Sequence, residues 1–558
     1  MSLLRQCQYL QPWCQSNNHR ANHAIRSIFA HNAGIQLKVD HQHHQTRAVT
    51  ESSFGTRRRR RRRRHLPPQP LKPTMQSLGR RALFGERRFG FSTHSSVQYK
   101  KIRKTRKELV KMNKIQTIGE ASNTAFKYLH EFNPRNYSSF WSRVSRLATE
   151  RWTKHNVANR ELTGSQRNVL THQLTSIFSN TRGAVTQFGP RDLTQTAHAI
   201  AKIVKMVNVR VSQGRRLDRM QQVFRYIIIG RQSSPREDDD DDDGDIFQSI
   251  ANTSLGILPE FKARYLSNLA YANAIASSVP TFDDGSTLFD HIAEKSIPLL
   301  TEFQPQELAN LVWSFEKAGA SNAGLFEKVA DHIVSLDNIA EFKPLELSNI
   351  LSAYAKADQA NPPLFQKVAN YIVSLDNLHT FRPEDLSNVV HAFATADEAH
   401  PRLFEKVSNR IITLGNLKSF KPHQLSHVLW AFSKAGESNP KLHVRIADHI
   451  YLFCKLELFE PSDLSAVLLA LGTVEGSHHR TRLLFQKVAD HMVESDEFDS
   501  FEPREISDVL EAYATADVVH PRLFARLHAH VNAHVDSTSL GENARRNLVW
   551  AHEKAEQV

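Results

Sequence analysis

Cysteine is nearly missing: Cys7, Cys14 and Cys454 are the only ones in 558 residues. With no CxxC pair and no His/Cys cluster at zinc spacing, neither a disulfide scaffold nor a structural zinc organises the chain. Uninterrupted apolar runs are short as well, none reaching the ~18 residues that a membrane helix needs, so no membrane insertion is expected. A Ser/His/Asp set, a phosphate-cradling glycine loop and a paired-carboxylate signature are also lacking. The expectation is a protein with no catalytic activity, no cofactor and no metal. Acidic residues are scarce at one end only. Net charge is +20 over residues 1–110 and +13 over 111–230, then −9 over 231–302, −10 over 303–539 and zero over 540–558. The overall +14 therefore describes the N-terminal part alone.

Residues 1–105 are rich in Arg, Ser, Gln and His, poor in acids, and carry no sustained apolar periodicity. That is the composition of an organellar transit peptide followed by a disordered Arg-rich segment. Met1 to Cys14 is too polar for the apolar stretch of a secretory signal, and Arg87-Arg88-Phe89-Gly90-Phe91-Ser92 has the look of a mitochondrial processing neighbourhood. A mitochondrial address is expected, with plastid or nucleus as alternatives. The nuclear alternative rests on the unbroken run Arg57 to Arg64, which otherwise reads as a low-complexity tail or a phosphate-binding arm. A second charged run, Glu237 to Asp245, reads as a solvated loop between helices. Consecutive carboxylates without turn-forming spacing do not make a calcium loop.

What the chain has in abundance is self-similarity. Phe-x-Pro recurs at Phe303, Phe342, Phe381, Phe420 and Phe459 in steps of 39 residues, and at Phe501 after a step of 42. Phe261 stands 42 before Phe303, Asn547-Leu548-Val549-Trp550 repeats Asn310-Leu311-Val312-Trp313 in register, and looser echoes begin at Phe188 and Phe132. Each unit holds two helix starts. Pro344 suits the first helical position, Glu346 faces the positive helix end, and Phe342 and Leu347 are spaced as a hydrophobic staple. Leu347, Ile350, Leu351, Tyr354 and Ala357 follow helical spacing, and Asp358 to Asn361 breaks the helix. Asn361-Pro362 then caps and opens a second helix, as do His400-Pro401, Asn439-Pro440 and His520-Pro521, with Leu364, Phe365, Val368, Ile372 and Val373 as its buried face. Two amphipathic helices per unit cannot bury their faces alone, so neighbours must stack. The predicted fold is all-α, a right-handed α-solenoid of helical hairpins: a basic region with divergent repeats over 106–260, then a regular array over 261–558.

The string Phe-x-Pro-x-x-Leu-Ser-Asn-x-x-x-Ala-Tyr/Phe-Ala-x-Ala, complete at Phe342–Ala357 and Phe381–Ala396, resembles octotricopeptide-type repeats. Phe303–Gly319 and Phe420–Gly436 carry a Trp-Ser/Ala-Phe-x-Lys-Ala-Gly variant through Trp313 and Trp430. Similar repeats occur in mitochondrial FAST-kinase-like proteins and in the trypanosome RNA-editing substrate-binding complex. The resemblance implies an organellar factor that binds single-stranded RNA in processing, stability, editing or translation, with protein partners of a ribonucleoprotein complex. Many such relatives end in a nuclease-like RAP domain; none is read in the residues up to Val558.

Helical repeats that read RNA meet each base with two or three side chains. Two polar columns on the first helices are candidates: Asn310, Asn349, Asn388 and His427, and one turn on Lys317, Lys356 and Lys434 with Thr395. Asn pairs with base edges and Lys neutralises phosphate. The competing reading makes the Asn residues ties between units and the Lys residues mere solvation of a helix face; near-invariance within the array favours ties for the Asn column. The column Trp313, Ser352, His391, Trp430, Leu469, Glu511 varies more and is the better place for specificity, although Trp side chains more often pack than stack on bases. Arg143, Arg146 and Arg151 in the basic region are further candidates for the RNA backbone. The runner-up function is a protein-binding α-solenoid scaffold, which an apolar or acidic first-helix stripe would favour.

Overall fold

The computed structural model describes residues 114–150, 163–212, 216–229, 245–437, 439–474, 479–495, 497–534 and 541–556, all within one unit, Gly90–Val558. The expected transit and Arg-rich segment, the Arg57–Arg64 run and Arg151 lie outside the described residues. So does the acidic run apart from Asp245, whose carboxylate caps the helix Ile246–Gly256 by accepting from the Phe247 N–H at 3.0 Å.

Among the described residues there are 21 α-helices and no β-strand. They form two layers. The first helices of successive units, Pro305–Lys317, Pro344–Lys356, Pro383–Thr395, Pro422–Lys434, Pro461–Gly472 and Pro503–Ala516, pack each on the next, and Glu542–Glu556 packs on the last of these. The same layer runs back without a break through Ala263–Ala276 and Pro190–Ser212 to Pro134–Glu150. The loose echoes at Phe188 and Phe132 thus open helices of the same kind as the regular units. Second helices such as Ala323–Ser335, Pro362–Ser374, Pro401–Ile412, Pro440–Phe453 and His479–Ser495 form the other layer.

Each boundary has a local cause. Asn361 Oδ1 accepts from the Leu364 N–H at 3.0 Å and the His400 ring from the Leu403 N–H at 3.2 Å, so the second helices are capped at the residues their Pro dipeptides mark. First helices are closed at their start by the third helical residue: Glu346 accepts from the Lys343 N–H at 2.9 Å and Asp385 from the Arg382 N–H at 2.8 Å. Glu346 therefore bonds to the helix start directly, beyond the dipole role expected of it. Their ends share one column, Gly319, Asp358, Asp397 and Gly436, with φ of 65°, 53°, 54° and 69°. At that left-handed residue the chain turns away while the next N–H reaches back to the helix, as from Gln359 to the Tyr354 carbonyl.

Packing between units repeats as well. A second-helix Phe meets the first-helix aromatic of the next unit edge-on: Phe289–Phe315 at 5.1 Å, Phe326–Tyr354 at 4.9 Å, Phe365–Phe393, Phe404–Phe432 and Phe485–Tyr513 each at 5.0 Å. Such pairs contribute about 0.5–1.5 kcal/mol beyond their area. Tyr354 and Tyr513 add a donated hydrogen bond to the Phe326 and Phe485 carbonyls, at 2.6 and 2.7 Å. On the second helix of this unit Leu364, Phe365, Val368 and Ile372 are buried as expected, whereas Val373 is half-buried and Ala369 takes the interior place. A spacing of four from Phe365 keeps Ala369 on the inner stripe, and Val373 lies one more turn on, where the helix ends.

Candidate nucleic-acid interface

Five, eight and twelve residues after its opening proline, each first helix presents side chains that neither neighbour covers completely. Steps of three and four keep them on one face, and stacking the helices turns them into three parallel columns. Asn310, Asn349 and Asn388 are half-buried, and within the described residues their side-chain amides make no hydrogen bond. Lys317, Lys356 and Lys434 are exposed. Lys434 pairs with Asp397 of the preceding unit at 3.1 Å and lies 5.4 Å over the Trp430 ring.

The variable column forms a row of rings. Trp313 and Trp430 are half-buried and packed against the core. His198 stands 5.5 Å from Tyr271, which stands 5.3 Å from Trp313; after Ser352 the row resumes with His391 at 4.8 Å from Trp430 and 4.3 Å from His427. Burial pushes His391 down to about 3, with help from His427, Lys356 and Lys434, and pushes His198 down to about 4, with help from Lys202. His427 is lowered too, first by burial and then by His423. These rings are neutral near pH 7 and offer flat faces and single N–H donors or acceptors. His427 Nδ1 and His198 Nε2 are buried and have no hydrogen-bond partner among the described residues.

The same face opens into a cleft of about 790 Å³ across Pro134–Glu150, Pro190–Ser212 and Ala263–Ala276. Arg146, Arg191, Lys202 and Arg264 line it, with Gln195, His198 and Asn268 between them, and among the described residues no carboxylate lines it. Burial and the neighbouring Arg146 charge hold the Lys202 ammonium below its ordinary range. Arg191, Lys202 and Arg264 bring positive charge to one groove, where an anion is favoured. Register explains the convergence: Lys202 and Arg146 follow Pro190 and Pro134 by twelve residues, as Lys317 follows Pro305.

Of the arginines singled out in the basic region, Arg146 lines the cleft, and Arg151 falls outside the described residues. Arg143 does neither. Its guanidinium is buried and donates to the Ile115 carbonyl from both Nε and Nη2, because it sits one residue past the outward column and points into the seam with the segment before the first helix. Sequence reading missed Arg191, Lys202, Arg264, His198 and Tyr271. Extending the register of the regular units, eight and twelve residues after the helix opening, would have found His198, Lys202 and Tyr271, whereas Arg191 and Arg264 stand one residue after the opening and outside the columns. Toward the C terminus the columns change character, first to Ala466, Leu469 and Thr473, then to Asp508 and Glu511. Burial raises the Asp508 carboxyl pKa, with Glu511 and Glu505 adding to the effect.

Residues 375–537, less than half of the chain, match the family described as RNA-editing substrate-binding complex 6 protein. No curated protein matches the chain.

Proposed function

We propose that this is an organellar, most simply mitochondrial, protein that binds single-stranded RNA along its first-helix layer and acts in RNA editing or a related processing step, without catalytic activity of its own. The basic cleft carries the reading: Arg146, Arg191, Lys202 and Arg264 converge on one groove of the face that also holds the ring row and the outward Asn amides. Cations there neutralise phosphates, while His198, Tyr271, Trp313, His391 and Trp430 offer surfaces to bases. The amides of Asn310, Asn349 and Asn388, with no bond to the described protein, suit base edges better than ties between units. The match to an RNA-editing complex family over 375–537 agrees with this reading, as does the resemblance of the repeats to octotricopeptide and FAST-kinase-like arrays.

The test is fluorescence anisotropy of the full chain with labelled single-stranded RNA over a salt series. Charge reversal at Arg191, Lys202 and Arg264 should weaken binding at least tenfold; equal affinity for the variant, or binding that salt leaves unchanged, would sink the proposal.

A further inference from the structure

The unit that begins at Phe420 departs from the three before it at one place that the first-helix face does not include. In three preceding units an Asn side chain, Asn338, Asn377 or Asn416, accepts from the N–H two residues on, at 2.8, 3.1 and 3.1 Å, and shapes the turn after the second helix. Lys455 stands at that position here. Without the Asx turn the second helix runs to Phe453, whose column holds half-buried Leu336, Leu375 and Leu414 elsewhere, Cys454 is half-buried, and the turn winds into a 3-10 helix, Leu456–Leu458. Three large apolar side chains of this stretch stand in solvent: Leu452 at 51%, Phe453 at 62% and Leu458 at 63% exposure. The column of Leu452 holds Ser335, Ser374 and Thr413 in the other units, and that of Leu458 holds Glu341, Thr380 and Ser419. At both columns the three preceding units carry small or polar side chains where this unit carries Leu.

Charge says what fits. Lys418 lies 5.6 Å over the Phe453 ring and forms no ion pair within the described residues, while Lys455 pairs only with neighbouring Glu457 at 3.4 Å. His449, 5.4 Å from Phe453, is lowered by burial and further by two nearby cations, Arg445 and Lys418. Two exposed Leu side chains and a single ring within seven residues of chain suit aliphatic contacts better than base stacking, which needs flat surfaces.

We infer that Leu452, Phe453 and Leu458 form a docking site for an amphipathic helix of another protein, one whose apolar stripe covers these three side chains and whose flanking carboxylate meets Lys418. Helix-in-groove recognition of this kind reads apolar anchors at successive turns. The site is carried by a second helix and the turn after it, whereas the proposed RNA face is carried by first helices, so the inference does not depend on RNA binding.

The experiment places the photo-crosslinking amino acid p-benzoylphenylalanine at Phe453 in the full chain, irradiates the cells in which the protein is naturally made, and sequences the attached peptide. The expected product is a peptide of one other protein with apolar residues at helical spacing beside Asp or Glu. A parallel chain carrying Leu452→Ser and Leu458→Thr, residues taken from the same columns of a neighbouring unit, should lose at least nine-tenths of that product, keep its thermal melting curve, and bind labelled RNA with unchanged affinity. Attachment to a second copy of this chain, attachment to nucleic acid, absence of a defined product, or a product yield that the double substitution leaves intact would each overturn the inference.

Discussion

At residue resolution the array carries its own controls, because the same position is filled several times over. The left-handed residue that ends each first helix is Gly319 or Gly436 in two units and Asp358 or Asp397 in two others. A Cβ built on Gly319 meets nothing within 4 Å, so replacing it tests backbone conformation and not packing. Gly319→Ala should destabilise its unit by about 1 kcal/mol, the usual conformational cost at positive φ, read from the denaturation midpoint; an unchanged midpoint would refute the assignment. His391 makes a different kind of prediction. Its pKa in the folded chain is near 3, below the ordinary 6.5, so the folded site refuses a proton that the unfolded chain accepts. Its contribution is complete above about pH 6.5 and is lost progressively as pH falls toward 3, at about 1.4 kcal/mol per pH unit. Between pH 6.5 and about pH 5 that amounts to roughly 2 kcal/mol. His391→Ser, with the residue that Ser352 places in the same column, should reduce the acid sensitivity of unfolding by about this amount, as measured by urea melts at the two pH values.

Elements are where sequence reading succeeded and where it stopped. Helix starts were legible because proline, Asn and His caps and the Phe staple act within one turn of chain, so Phe342 to Leu347 specify their helix without help from elsewhere. The ties between elements were not, since they join residues about 31 to 37 apart whose meeting depends on how units stack. The clearest is a cationic column on the second helices: Lys367 donates to the Val334 carbonyl at 2.7 Å, Lys406 to Val373 at 2.7 Å, Arg445 to Leu414 at 2.7 Å and Lys487 to Tyr451 at 2.8 Å. Each satisfies carbonyls left open at the C-terminal end of the preceding second helix. The recurring Leu-Phe-x-Lys-Val string holds the signal, but taken from one unit it reads as a solvated Lys. Because charged hydrogen bonds of this type are worth about 1.5–3 kcal/mol, Lys406→Met, which keeps the aliphatic stem, should raise hydrogen exchange at the end of Pro362–Ser374 about tenfold. If exchange there stays at its original rate, the column is only a solvated surface.

For the whole molecule, the two-layer array was legible from periodicity, whereas the cleft was not, because Arg146, Arg191, Lys202 and Arg264 come from three first helices in the divergent stretch where the repeat string is weakest. The charge count had already hinted at it by confining basicity to the N-terminal side. That division bears on how far an RNA can run. Along the outward columns the side chains are basic or neutral from Arg146 to Lys434, apolar at Leu469 and acidic at Asp508 and Glu511. Phosphate contacts should therefore be concentrated at the cleft, and base stacking spread over the ring row, with neither continuing past the unit of Phe459. Salt separates the two terms, since each phosphate neutralised on a single strand contributes about −0.7 to the slope of log K against log salt. Alanine at Arg191, Lys202 or Arg264 should flatten the slope by about 0.7 each. Lys434→Ala should do less, because that ammonium is already paired with Asp397. Trp430→Ala should lower affinity by about 1–3 kcal/mol with the slope unchanged, the loss of one stacked base. Glu511→Ala should alter neither. A slope that responds to Glu511 as strongly as to Lys202 would place the phosphates along the entire array and remove the boundary proposed at Leu469.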